Sequence, residues 1–319
     1  MKKILIGATM LFLSCFAHSQ NGLENIIVEK YYVANAADAA FAGVGALHQG
    51  SVTYRVYADM LPGYKFQALY GVTGHELNIN STTPFFNNED RGGKTPEGFT
   101  KVQAADNTVM LDSWFSVGGA SSDVMGILKA DDDGVSNVTN ADGILANNDA
   151  DAGIALTTQD GFITGTPEAV TFVGLTTEHN IFNATSQVGN SFSTTNGSIA
   201  SLNGSVGPTA ANRVLIGQFT TRGTFSFELN IQIGTPTSGV QNYVASNPVG
   251  AEISIASLIY SNTSCSAVPS APASVVGNPS VCLSTNPVFS TADNALAYSW
   301  SVSNTTVSFT SGQATPTVT

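Results

Sequence analysis

The chain of 319 residues carries 23 Asp and Glu against 11 Lys and Arg, a net charge of −12, with only 11% of residues charged and 42% apolar. That balance excludes a nucleic-acid-binding surface and a polybasic membrane patch. The length suffices for a sizeable core and for more than one domain.

In chain order, residues 1–19 have the form of a signal peptide. Lys2 and Lys3 precede the apolar run Ile4–Phe16, and Ala17-His18-Ser19 supplies small residues for cleavage before Gln20. The run is shorter than the roughly 20 apolar residues of a membrane span. A lipobox would place leucine three residues before Cys15, where Phe12 stands. The expected location is therefore secreted, extracellular or on the outer cell surface, with no transmembrane segment after cleavage.

Residues 20–262 read as strands separated by glycine- and asparagine-rich turns. Ile26–Ala34 is the first, and Ala36–Ala40 is a short helical turn. Ser51–Met60 alternates Val52, Tyr54, Val56, Ala58 and Met60 with Ser51, Thr53, Arg55, Tyr57 and Asp59. One buried and one wet face follow from that period. Pro62-Gly63 turns the chain into Lys65–Tyr70. Further strands are expected around Leu77 and Ile79, then at Val109–Val117, Gly161–Ile163, Ala169–Val173 and Glu252–Tyr260. Asn196-Gly197 between Phe192 and Ile199 predicts a hairpin. The clearest alternation follows Gly223, where Phe225, Phe227, Leu229, Ile231 and Ile233 oppose polar neighbours. With Val214–Phe219 and the turn Thr221-Arg222-Gly223, this predicts a central hairpin. The fold class implied is all-β, a large antiparallel β-sandwich or jelly roll.

Residues 263–277 form a Pro-, Ser- and Ala-rich linker. Once the leader is removed, Cys265 and Cys282 are the cysteines that remain. Export permits a disulfide between them, which would stabilise the closed loop by about 3 kcal/mol. In residues 278–319, Gly277-Asn-Pro-Ser-Val-Cys282, Tyr298-Ser-Trp300 and Ser311-Gly-Gln resemble the immunoglobulin-like PKD modules of secreted multidomain Bacteroidota surface proteins. The resemblance implies the start of an Ig-like sandwich with Trp300 in its core. A complete sandwich takes about 100 residues, so the natural polypeptide is expected to continue. In such proteins further modules and a type IX sorting domain commonly follow. The Tyr54–Met60 stretch, Phe85-Phe86-Asn87-Asn88 and Asp112-Ser113-Trp114 resemble the N-terminal sandwich of the same proteins, which confers no particular activity.

Motifs for chemistry are sparse. His48, His75 and His179 are far apart, and the sequence holds no HExxH and no GxSxG. Seven aspartates lie between Asp131 and Asp160 without a Lys or Arg after Lys129. Asn147, Asp149 and Asp151 have the spacing of the first calcium-loop ligands, with Asp142 and Asp133 as further oxygen donors. Gly153 and Thr158 depart from that pattern. A calcium site and a solvated acidic loop both remain open. Trp114 beside Asp112 on the less apolar face of its strand could stack on a sugar, or lie under a loop. The loop Phe85–Gly98 is the densest mixed-charge segment, a binding loop or a solvated connection.

The reading favoured is a non-catalytic secreted or cell-surface adhesion or scaffold protein, whose partner would be an extracellular glycan or surface protein. A carbohydrate-binding module of a glycan-degrading protein is the alternative. A carboxylate-dependent glycosidase or lyase is the third, with Glu29, Glu89 and Asp112 as unranked candidates.

Overall fold

The computed structural model describes residues 21–41, 47–135, 137–138, 144–146, 152–183 and 189–262, and the backbone of Phe289–Ser290 and Thr317–Val318. The chain divides into two compact units, Met1–Asn262 and Thr263–Thr319. It is mostly β, with antiparallel sheets and only short helices.

The strands of the first unit are β1 (Leu23–Val33), β2 (Val52–Met60), β3 (Lys65–Gly71), β4 (Leu77–Ser81), β5 (Trp114–Phe115), β6 (Val124–Gly126), β7 (Phe162–Thr164) and β8 (Thr171–Val173). They continue as β9 (Ser191–Thr194), β10 (Gly197–Ser205), β11 (Arg213–Thr221), β12 (Phe225–Glu228), β13 (Ile231–Gly234), β14 (Val240–Val244), β15 (Ile253–Ser254) and β16 (Ile259–Ser261). The first sheet has the order β1-β2-β11-β5, the second β15-β14-β13-β3-β10-β8, and the third β16-β12-β4-β9; β6 and β7 form a separate ribbon. In the second unit, Phe289–Ser290 pairs antiparallel with Thr317–Val318. The helix α1 (Ala36–Ala40) forms where alanines follow a capping box: the Asn35 side chain accepts from the Asp38 N–H, and Asp38 accepts in return from the Asn35 N–H.

The strict alternation after Gly223 buries its apolar set. Phe225, Phe227, Leu229, Ile231 and Ile233 are all at most 1% exposed. They join Tyr54, Val56, Phe66, Leu69, Ile79, Val214, Ile216 and Phe219 in one core shared by all three sheets. Val52, expected there too, is only partly buried against it. Aromatic rings fill the middle: Tyr54 stacks on Phe225 at 4.9 Å, and Phe115 meets Phe182 edge-on at 5.1 Å. A register shift between Leu215 and Gly217 reverses the phase of β11, so Phe219 turns inward with Val214 and Ile216 while Gln218 turns outward.

The two expected hairpins are not hairpins. β11 belongs to the first sheet and β12 to the third, so Thr221-Arg222-Gly223 carries the chain from sheet to sheet. A Cβ at Gly223 would lie 2.6 Å from Thr82 Oγ1 and from the Thr83 amide, so the glycine serves close approach to a neighbouring loop. Likewise β9 pairs with β4 while β10 pairs with β3 and β8. The Asn-Gly hairpin turn needs positive φ at both residues, and neither Asn196 nor Gly197 has it. Val109–Val117 is a 3-10 turn at Val109–Leu111 followed by the two-residue β5. Glu252–Tyr260 similarly breaks into β15, a 3-10 turn at Ala256–Leu258 and β16.

The alternating run 225–233 also changes sheets partway. β12 pairs with β4 and β13 with β3, so two long chain segments stay antiparallel around a corner. Asn230, 1% exposed, holds it. Its side-chain amide donates to the carbonyls of Tyr70, His75 and Glu76 at 3.1–3.2 Å, and its Oδ1 accepts from the Ala245 N–H.

The opposite face of the first sheet was expected to be wet and is covered. Thr53, Arg55 and Tyr57 on β2 are each at most 1% exposed. Residues from the long excursion between β4 and β8, among them Phe86, Phe99, Leu111, Trp114, Leu145, Leu156 and Phe162, pack on that face with Tyr31, Tyr57 and Leu215.

Candidate functional site

The covered face of the first sheet concentrates the buried ionisable groups of the described chain. Its register aligns Glu29 with Arg55, Arg55 with Gln218, and Gln218 with Trp114, one row across all four strands. Arg55 Nε donates to Gln218 Oε1 at 2.9 Å, and its Nη1 donates to the Gly161 carbonyl at 3.1 Å. The guanidinium lies 3.6 Å over the Tyr31 ring. Gln218 passes the row on, its amide donating to the carbonyls of Met110 and Asp112. Gly161, at φ +70°, has Arg55 Nη1 only 2.6 Å from where a Cβ would stand. The loop reaches the arginine because this residue has no side chain.

Lys129 sits beneath the same layer, 2% exposed. Its ammonium donates to the carbonyls of Tyr31, Ala152 and Ile154 at 2.6–2.8 Å, using all three hydrogens. Its backbone N–H donates to Glu29 Oε1 at 2.8 Å. Burial pulls the Lys129 ammonium down to about 8, and the Glu29 carboxylate opposes that. Burial raises Glu29, with Arg55 the main opposing influence.

The aspartates of the acidic segment within the described residues are tied to backbone amides and distant cations. Asp132 accepts from the N–H groups of Gly134 and Gly161. Asp160 accepts from those of Val138 and Phe162, with Lys101 Nζ at 3.9 Å. Asp131 pairs with Arg213 at 2.6 Å. Asp133 accepts from the Val135 N–H in its own loop. Asp142, Asn147, Asp149 and Asp151 lie outside the described residues, as do Cys265, Cys282 and Trp300. Among the described residues no group of three or more His, Cys, Asp or Glu could hold a metal ion.

Asp112 and Trp114 are 0% and 1% exposed. The strand face they were assigned is closed over, so neither offers a stacking surface to solvent. Asp112 instead anchors the loop Phe85–Gly98: its Oδ1 accepts from the Asn88 N–H at 2.7 Å and its Oδ2 from the Gly93 N–H at 2.9 Å. Asn88 fixes the same loop, its Oδ1 accepting from the N–H groups of Asp90 and Arg91. Burial pushes the Asp112 carboxyl up to about 8 against the pull of these amides. Of the carboxylates considered for glycoside hydrolysis, Glu29 and Asp112 thus have separate structural partners, and Glu89 is exposed on the anchored loop.

The histidines also have separate surroundings. His75 meets Glu252 at 3.0 Å. His179 Nε2 lies 3.0 Å from the Lys94 ammonium, which donates to it, and the ring stacks on Phe172. Burial and the Lys94 charge push His179 down. His48 lines a small groove of about 220 Å³ with Ser51, Thr83, Pro84, Phe86, Thr221 and Arg222. A wider groove of about 420 Å³ is lined by Lys65, Thr164, Thr166, Glu168 and Ser205, among others. Sequence reading missed both grooves and the Glu29–Arg55–Gln218 row. The available signal was an arginine in the middle of an alternating strand of a chain poor in basic residues. No family model, no curated protein and no solved structure matches this chain.

Proposed function

We propose that this is a non-catalytic extracellular adhesion or scaffold protein, its first unit a β-sandwich that presents a rigid layer of irregular loops and its second an Ig-like module of the PKD kind. One observation carries the reading. The buried charged groups Asp38, Arg55, Asp112, Lys129, Asp132 and Asp160, and the half-buried Glu29, bind backbone amides or carbonyls, most of them in loops. Groups committed in this way fix surface shape and are not poised to exchange protons with a substrate. A pre-ordered loop surface lowers the entropy cost of binding a partner. The acidic balance keeps such a surface soluble outside the cell.

Immobilised protein would be tested for binding to a panel of extracellular proteins and glycans, with reducing-sugar release measured on the same glycans. Saturable binding to a protein or glycan without turnover is expected. Release of reducing sugar in proportion to enzyme concentration would overturn the non-catalytic reading. Binding confined to one glycan class would favour the carbohydrate-binding alternative, for which the 420 Å³ groove with Lys65, Thr164, Thr166 and Glu168 is the observation in hand.

A further inference from the structure

The groove at His48 and Arg222 differs from the rest of the acidic surface. Arg222 is exposed and has no hydrogen bond or ion pair with any described residue. Other arginines are committed: Arg55 to Gln218 and Gly161, Arg91 to Asp106, and Arg213 to Asp59 and Asp131. An unpaired guanidinium in a chain of net charge −12 is a planar, permanently charged fork suited to a carboxylate. Around it are the imidazole of His48, the hydroxyls of Ser51, Thr83 and Thr221, and an apolar wall of Pro84 and Phe86. The floor is held in place from below. Thr221 Oγ1 lies 2.7 Å from Ser81 Oγ and 2.9 Å from Thr83 Oγ1, and the Gly223 N–H donates to it.

We propose that this groove binds a hydroxylated monocarboxylate, a uronic acid residue, with its carboxylate on Arg222, its ring hydroxyls on the hydroxyl floor and His48, and its apolar ring face on Pro84. A single guanidinium balances a single negative charge, and the surrounding acidic protein disfavours a phosphate dianion. The volume of about 220 Å³ is below the roughly 300–1,000 Å³ of drug-sized ligand sites, so one sugar ring is admitted and not an extended chain. The proposal stands on this groove alone and does not depend on the adhesion reading.

The test is calorimetric titration of the full chain with sodium glucuronate, glucose, lactate and inorganic phosphate. Saturable binding of glucuronate is expected, with glucose and lactate each much weaker because each lacks half of the recognised groups. Arg222→Gln should weaken glucuronate about tenfold or more, the effect of losing a charge-assisted pair, and Arg222→Lys should recover part of it. The melting temperature should not move in either variant, since Arg222 is exposed and unpaired. Absent glucuronate binding, or binding unchanged in Arg222→Gln, overturns the site. Phosphate or lactate binding as tightly as glucuronate overturns the uronate assignment.

Discussion

The two faces of the first sheet are both covered and chemically different. One meets Phe225, Ile231 and their neighbours in an aromatic and aliphatic core. The other carries Glu29, Arg55, Gln218 and Tyr57, and is covered by loops between β4 and β8. Apolar faces bury favourably against any apolar surface of the right shape. A polar face can be dry only when each donor and acceptor finds a partner. Irregular backbone has unpaired amides and carbonyls to offer, and the buried side chains of this face supply their counterparts. The loops and the polar side chains of this face thus supply partners to each other beside an apolar cluster, the Trp114 indole N–H being buried without a partner among the described residues.

The comparison breaks most readily at Arg55. Arg55→Ala leaves Gln218 Oε1 without its Arg55 donor, takes one of two donors from the Gly161 carbonyl, which keeps the Ile127 N–H, and removes from Glu29 the larger of its two neighbouring positive charges. Removing one partner of a buried charged network costs about 3–5 kcal/mol, readable in urea denaturation. Arg55→Met keeps the bulk and not the donors. If the methionine variant is as stable as wild type, the polar layer is not what holds the loops. On the other face Ile231→Ala should cost about 2–5 kcal/mol by transfer and cavity. That loss should be unchanged between low and high salt and across pH, because no charge is involved.

How much of this was legible in the sequence follows from the same contrast. Period two placed Phe225 through Ile233 inside because alternation is a property of the strand itself. It also separated Arg55 and Tyr57 correctly from Val56. It could not say what covers the second face, since a polar side chain facing water and one facing a loop carbonyl have the same sequence period. The Thr221-Arg222-Gly223 and Asn196-Gly197 turns were misread for a related reason. Local turn residues specify that the chain bends, and the choice of partner strand is made by distant contacts such as those of Gly223 with Thr82 and Thr83. Asp112 and Trp114 fall on a half-wet face only if Val109–Val117 is one strand, and the 3-10 turn at Val109–Leu111 breaks that period. Arg222 looked like a turn residue, and only the fold brings it beside His48.

The corner at Asn230 sharpens the comparison on a smaller scale, as a single polar side chain inside the apolar core. Its amide satisfies three carbonyls and its oxygen one amide. Asn230→Ala leaves the buried Ala245 N–H without this acceptor and takes a donor from each of the three carbonyls, of which His75 keeps the Val72 N–H, a cost of about 1–3 kcal/mol. Asn230→Leu should be no better, since the carbonyls need a donor and not volume. Hydrogen exchange at the Ala245 amide reads the local effect directly, and should accelerate in both variants.

Asp112 tests the polar layer by pH, with the least change to its shape. Burial raises the carboxyl to about 8, while the amides of Gly93 and Asn88 pull it down. In the unfolded chain an aspartate titrates near its ordinary value of about 3.9. Between these limits the folded protein holds more protons on this group than the unfolded chain does. Its contribution to stability is therefore complete below about pH 4 and is lost as pH rises toward 8, at up to ~1.4 kcal/mol per pH unit. Asp112→Asn removes the titration but keeps an amide oxygen for one of the two loop N–H groups. The variant should lose stability relative to wild type at low pH, and the gap should narrow steadily as pH rises. Urea unfolding of both proteins at half-unit intervals from pH 4 to 8 measures that gap. If the gap is constant, Asp112 is ionised throughout, the amides of the loop dominate over burial, and the carboxylate is a fixed anion within the layer.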